Sequence, residues 1–201
     1  MTHPTCEPRK RTYSPSGFAR DLLSNAATLP GLASAYVVPG RIDPALREKV
    51  MLGITRVNRC RHCAAIHGLW GERAGVSPPE LEGLLGGEPA ALEGGEREIV
   101  ELACAAATGQ GAVAPDEAAD ALRSRLGARR AREVVAVARG INLANRLGNT
   151  WDAFSDRLRG RDAGDSSLVG ELMVLGAVAP VGAPFLAVSK TIRLLRGEPE
   201  I

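Results

Sequence analysis

Between Asp43 and Gly75 the chain carries two runs of helical character separated by a short break, and this pairing constrains the fold more than any other stretch. Asp43-Pro44 is a helix start signal: a capping side chain precedes a proline at the first helical position, where the missing N–H costs nothing. Leu46, Val50, Met51, Ile54 and Val57 then recur at helical spacing. Beyond Cys63 the run AAIHGLWGERAG keeps helical composition until Gly75 ends it. If the chain turns around Asn58 into an antiparallel second helix, residues whose numbers sum to about 116 lie level with each other, and Glu48 faces His67.

This hairpin gathers most of the residues able to do redox or proton chemistry. It holds two of the four cysteines and two of the three histidines. Cys60 and Cys63 form a C-x-x-C in the first turn of the second helix, where unpaired backbone N–H groups and the helix dipole favour an anion, so a lowered thiol pKa is expected. At about 100° per residue, Cys60, Cys63 and His67 fall within roughly 60° of one another, while His62 points to the opposite side. A carboxylate at Glu48 would fix the tautomer of His67 and raise its basicity, one helical turn from Cys63. The pattern is a proton relay aimed at a thiol.

The spacing Glu48, Cys60, His62, Cys63, His67 resembles the core motif of the AhpD-type alkylhydroperoxidases in the carboxymuconolactone decarboxylase superfamily. The later segments GEREIVELACAAATG and REVVAVARGINLANRLGNTWDAF also look like the helices that follow that motif, so the likeness covers residues 15 to 158. The resemblance implies an all-α, AhpD-like helical domain assembled into a homo-oligomer, trimer or hexamer. It implies an alkylhydroperoxidase, a peroxiredoxin-type antioxidant oxidoreductase whose cysteine pair cycles between dithiol and disulfide. Cys63 would attack the peroxide, Cys60 would donate a proton and resolve the sulfenic acid, Glu48 and His67 would form the relay, and His62 would support it. The implied partners are a hydroperoxide substrate, a peroxiredoxin, and a lipoyl or thioredoxin-like electron donor; no cofactor is called for. In AhpD itself a helical half precedes the motif, whereas here about forty residues do. The nearer likeness is therefore to single-core members.

Three other chemistries compete for the motif. A structural zinc site from Cys60, Cys63 and His67 needs a fourth ligand, which Glu48, Cys104 or Cys6 could supply. A decarboxylase of the carboxymuconolactone type is argued against by the cysteine pair itself, which members acting on that substrate lack. A structural or partner-binding module with an inert pair is the third. A c-type haem is not implied, because Ala64 stands where C-x-x-C-H requires histidine.

Outside the hairpin, aromatic residues are only 3%, so the core must be built from Leu, Val and Ala, which favour closely packed helices. A net charge of +2 with interspersed signs does not outline a nucleic-acid groove. Residues 1–14 lack the apolar region of a signal peptide and are rich in Pro, Ser, Thr and charge, which predicts a disordered tail on a cytoplasmic protein, with Cys6 dangling. Residues 15–160 form the expected helical domain. Within it FARDLLSNA reads as a short helix, LPGLASAYVVPGRID as a Gly/Pro-broken connector, and Ser77-Pro78-Pro79-Glu80 as a capping box. Cys104, flanked by alanines in an apolar helix, reads as a small packed hydrophobe. Asn142, Asn145 and Asn149 recur at i, i+3 and i+7 on the longest helical run; a polar seam between helices or subunits is the favoured reading over a substrate site. Residues 161–201 are a polar linker and an apolar segment. Its uncharged run from Leu172 to Val188 is broken by Pro180 and Pro184, so packing on the helical domain or in an oligomer interface is expected over membrane contact.

Overall fold

The protein is described by a computed structural model covering residues 6, 8–38, 41–86, 92, 95–111 and 113–180. Among these residues the fold is all-α, without strand. In chain order the helices are α1 (Pro15–Ala26), α2 (Leu29–Val37), α3 (Pro44–Asn58), α4 (Arg61–Ala74), α5 (Pro78–Gly86), α6 (Glu96–Thr108) and α7 (Pro115–Leu158). Residues 168–180 are also helical.

Helix α3 is central, packed by α4, α5, α6 and α7. Its start is the expected one: the Asp43 carboxylate accepts from the Leu46 amide at 2.9 Å, and Pro44 occupies the first turn. Val50, Leu52 and Ile54 are completely buried. The hairpin turns where the sequence placed it, with Arg59 in the left-handed region (φ 54°) and Cys60 capping α4. The carboxylate half of the α5 capping box forms, Glu80 accepting from the Ser77 amide at 2.9 Å and its hydroxyl at 2.7 Å. Lys49, nearly buried on α3, ties the other helices in by reaching Glu80 at 2.6 Å and Glu96 at 2.7 Å. Helix α7 bends at Gly127 (φ 78°, ψ 157°) and then runs the length of the core.

Three expectations need correcting. The connector after α1 contains a helix, α2, because Pro30 sits in a first turn where no intrahelical bond is lost, and Gly31 lets the helix lie on α7, its missing Cβ only 3.0 Å from the Ala136 methyl. The described part of the tail is a strap. The Arg9 amide donates to Val57 O at 2.7 Å, the Tyr13 amide to Thr150 Oγ1 at 2.9 Å, and Tyr13 is buried against Phe18 and beneath the Arg146 guanidinium, 3.8 Å from its ring centre. Cys6 does not dangle; it is buried. Composition alone marks such a segment as polar, but its backbone finds partners on α3 and α7 and its single tyrosine finds a pocket.

The C-terminal helical segment packs on the same side. Val174 joins Tyr13 and Phe18, and the fully buried Glu171 takes Arg157 at 3.1 Å and Ser166 at 2.6 Å. Burial alone would push the Glu171 carboxyl up, but these bonds outweigh it and hold the group below the usual carboxylate range. No described helix is long and apolar enough to cross a membrane. The rest of the apolar run, residues 181–188, lies outside the described residues.

Candidate functional site

Five side chains singled out from the sequence meet at the α3–α4 hairpin, on two faces of α4. On one face the sulfurs of Cys60 and Cys63 are 3.0 Å apart, both buried, at 1% and 0% exposure. Cys60 caps the helix through sulfur, accepting the Cys63 amide at 3.4 Å. One turn on, His67 Nδ1 lies 2.8 Å from Glu48 Oε2, the contact that the hairpin register required. Both partners are buried, Trp70 stands edge-on to the imidazole at 5.3 Å, and Arg47 Nε approaches the other Glu48 oxygen at 3.4 Å. With Nδ1 engaged by the carboxylate, Nε2 is the nitrogen left to exchange protons.

The expected fall in thiol pKa does not hold for Cys63. Its hydrogen bond with Cys60 and its burial push the Cys63 thiol well above the ordinary range, and Asp152 adds to this. The helix N-terminus favours an anion, but the contact with a second sulfur and the low-dielectric setting both oppose a charge on Cys63.

On the opposite face His62 Nε2 lies 2.7 Å from Asp152 Oδ1 of α7, and Arg61 donates to the same oxygen through Nη2 at 2.7 Å and Nε at 3.0 Å. Lys10 of the strap approaches Oδ2 at 4.0 Å. Burial would raise the Asp152 pKa, but the bonds to His62 and Arg61 prevail and hold it below the usual carboxylate value. Directly beneath, α7 presents Gly148: a Cβ there would stand 2.8 Å from Cys60 Sγ and 3.7 Å from His62 Cδ2. The absence of a side chain at 148 is what lets the helix backbone serve as the floor of the sulfur pair.

Sequence reasoning missed Asp152, Arg61 and Gly148. A signal for Asp152 exists, since it continues the asparagine stripe by a further three residues. That stripe is an intramolecular seam. Asn142 accepts from Asn58 at 2.9 Å and donates to Ala107 O at 3.0 Å, Asn145 accepts from Thr55 at 3.1 Å, and Asn149 donates to Asn58 O at 2.7 Å and Arg11 O at 3.2 Å. Asn58 Oδ1, Asn145 Nδ2 and Asn149 Oδ1 are buried along it without a protein partner.

Among the described residues no group of three or more His, Cys, Asp or Glu side chains is arranged to hold a metal ion. Of the fourth ligands considered for zinc, Glu48 is committed to His67, while Cys6 and Cys104 line a separate cavity. A groove of about 430 Å³ lined by Tyr36, Ile42, Leu46, Arg47 and Val134 abuts the relay from the Glu48 side, Arg47 standing between the groove and the carboxylate.

Residues 26–88 match the carboxymuconolactone decarboxylase family. That family includes AhpD-like proteins, and the match fits an enzyme of the AhpD or carboxymuconolactone decarboxylase type. The matched stretch runs from α1's last residue through α5 and contains Glu48, Cys60, His62, Cys63 and His67; Gly148 and Asp152 fall outside it. No curated protein and no solved structure matches the chain.

Proposed function

We propose that the protein is an AhpD-like thiol-dependent peroxidase that reduces hydroperoxides, or the disulfide of a partner peroxiredoxin, by cycling Cys60 and Cys63 between dithiol and disulfide. The observation that carries this reading is the 2.8 Å contact of His67 with Glu48, one helical turn from a contacting sulfur pair. A thiol whose pKa is raised cannot ionise unaided near neutrality, and a carboxylate-backed imidazole is the base such a thiol needs.

In the reaction, His67 takes the proton of Cys63 and the thiolate attacks the terminal oxygen of the hydroperoxide. The S–O bond forms, the O–O bond breaks, and the alcohol leaves with a proton returned by the relay. Cys60 then attacks the sulfenic sulfur, the S–S bond forms, and water departs. Two electrons have passed from the thiol pair to the peroxide. A dithiol donor of the lipoyl or thioredoxin-like kind returns them by exchange.

The cap geometry favours a second assignment in which the roles of the sulfurs are exchanged, because Cys60 Sγ, not Cys63 Sγ, accepts a backbone N–H. Exposing the reduced protein to a hydroperoxide and following its mass tests both versions. Loss of two hydrogens at Cys60–Cys63, with stoichiometric alcohol formed, is the expected result; unreacted thiols after peroxide exposure would overturn the peroxidase reading. Whichever of Cys60→Ser and Cys63→Ser still accumulates a sulfenic acid identifies the attacking sulfur as the one it retains.

A further inference from the structure

The two remaining cysteines are also together. Cys6 of the strap and Cys104 of α6 are buried, at 7% and 3% exposure, and unoxidised. They line one cavity of about 20 Å³ with Arg56, Val57, Val100 and Glu101. Thr108 and Gln110 bracket them: Cys6 Sγ donates to Gln110 O at 3.3 Å, the Gln110 amide donates to Thr108 Oγ1 at 3.2 Å, and that hydroxyl lies 3.7 Å from Cys104 Sγ. An ordinary pair of packed thiols would need neither a shared polar bracket nor a void between charged side chains.

We propose that Cys6 and Cys104 are a second redox-active thiol pair, which a small hydroperoxide converts to a disulfide that fastens the strap, residues 6–14, to α6. The cavity is the size of about one water molecule, which admits hydrogen peroxide and excludes bulky alkyl hydroperoxides. The two sulfurs are unequal. The Cys6 thiol is pulled down by its hydrogen bond with Cys104, against its burial, with Thr108 and Arg56 assisting; the Cys104 thiol is pushed up by that same bond and by burial. Cys6, the less deeply buried of the two sulfurs lining the cavity, is the attacking sulfur and Cys104 the resolving one, in keeping with the direction of their shifts. The Cys6 thiolate takes the terminal oxygen of hydrogen peroxide, forming S–O as O–O breaks and releasing water once the departing hydroxide is protonated. Cys104 then displaces the sulfenic oxygen as a second water, forming S–S and giving up its proton.

The consequence is mechanical. The strap runs from Cys6 past Lys10, which approaches Asp152, to Tyr13, which is held by Thr150. In the reduced state Cys6 is held by its hydrogen bond to Gln110 O and Arg9 by one to Val57 O; the disulfide would make the Cys6 end covalent. This inference does not depend on the chemistry of Cys60 and Cys63.

The test uses the full chain with Cys60→Ser and Cys63→Ser, so that no other thiol pair is present, and the wild-type chain beside it in case the double variant fails to fold. After treatment with hydrogen peroxide and blocking of free thiols, digestion without reductant should yield the Cys6–Cys104 linked peptide in both proteins. Cys104→Ser should leave Cys6 as a sulfenic acid trapped by dimedone, while Cys6→Ser should leave Cys104 unreacted. Tryptic cleavage after Arg9, Lys10 and Arg11 should slow about tenfold on oxidation and recover on reduction, because cleavage follows the opened population of the strap. Blocked but unlinked Cys6 and Cys104 would overturn the pairing, and equal cleavage rates in the two redox states would overturn the fastening.

Discussion

The two histidines of α4 make nearly the same contact and live in different electrostatic surroundings. His67 meets Glu48 at 2.8 Å and His62 meets Asp152 at 2.7 Å, each a buried imidazole on a buried carboxylate. At Glu48 the guanidinium is Arg47 at 3.4 Å, on the oxygen that His67 does not use, whereas Asp152 takes Arg61 twice on the same oxygen that His62 uses and has Lys10 at 4.0 Å. Asp152 Oδ1 is shared between an imidazole and a guanidinium, whereas Glu48 Oε2 meets His67 while Arg47 stands at the other oxygen. In the proposed reaction the same pair of residue types would transfer protons on one face, while on the other it ties α4 to α7.

The comparison breaks most sharply at the carboxylates. Glu48→Gln should slow hydroperoxide-driven disulfide formation about 10²-fold or more, the range for loss of a general base, and move the pH at which the thiol becomes reactive upward. Stopped-flow oxidation across pH reads both. Asp152→Asn should act chiefly on stability, costing about 2–3 kcal/mol in denaturant melts as Arg61 and His62 lose their shared partner, discounted because Arg61 is 26% exposed. If the two substitutions had interchangeable effects on rate and stability, the division of roles between the faces would collapse.

Gly148→Ala sharpens the contrast at the floor. A methyl 2.8 Å from Cys60 Sγ must displace either the sulfur or α7, at about 1–3 kcal/mol, and should slow disulfide closure more than it slows the first oxidation step. Separating the two steps by dimedone trapping measures this, and equal slowing of both would show that the methyl acts at long range.

A smaller effect concerns pH. Glu80, in the Lys49 network, has its pKa lowered from 4.5 to about 2, first by Lys49 and then by Ser77. A carboxylate with a depressed folded pKa contributes stability that is complete above the unfolded value and lost as pH falls through the folded one, so its share disappears between about pH 4.5 and 2. Asp152 is depressed in the same direction. Urea melts of Glu80→Gln should accordingly converge with wild type at the acid end and diverge above about pH 4.5. The least effect is expected from oxidation of Cys60–Cys63 itself. So short a loop constrains the unfolded chain little, and oxidised and reduced proteins should differ by less than the about 2–5 kcal/mol of a framework disulfide.

The legible part of the site is the local part. Glu48, Cys60, Cys63 and His67 are related by one hairpin, and helical period together with the Asp43-Pro44 start fixed their register. The fold class followed from the same periodicities and the scarcity of aromatics. Asp152 and Gly148 belong to a helix whose register against α4 depends on how α6 and α7 pack, which no spacing rule reports. The α2 helix was hidden because Pro and Gly usually punctuate; here the proline falls in a first turn and the glycine at a helix crossing. The low thiol pKa failed for another reason: the helix-end argument treats one sulfur alone, and the proximity of the second reverses the sign for Cys63.

Gly148 also bears on how far the redox hairpin can travel as a unit. The stretch that matches the family carries the sulfurs, the relay and both histidines, yet the surface they rest on belongs to α7. Grafted onto another helical scaffold, residues 26–88 would bring their reagents and leave their bench behind. Unless the host offered a bare backbone at the same height and an acidic residue one turn later, Cys60 would meet a side chain where it now meets none, and His62 would lose its carboxylate.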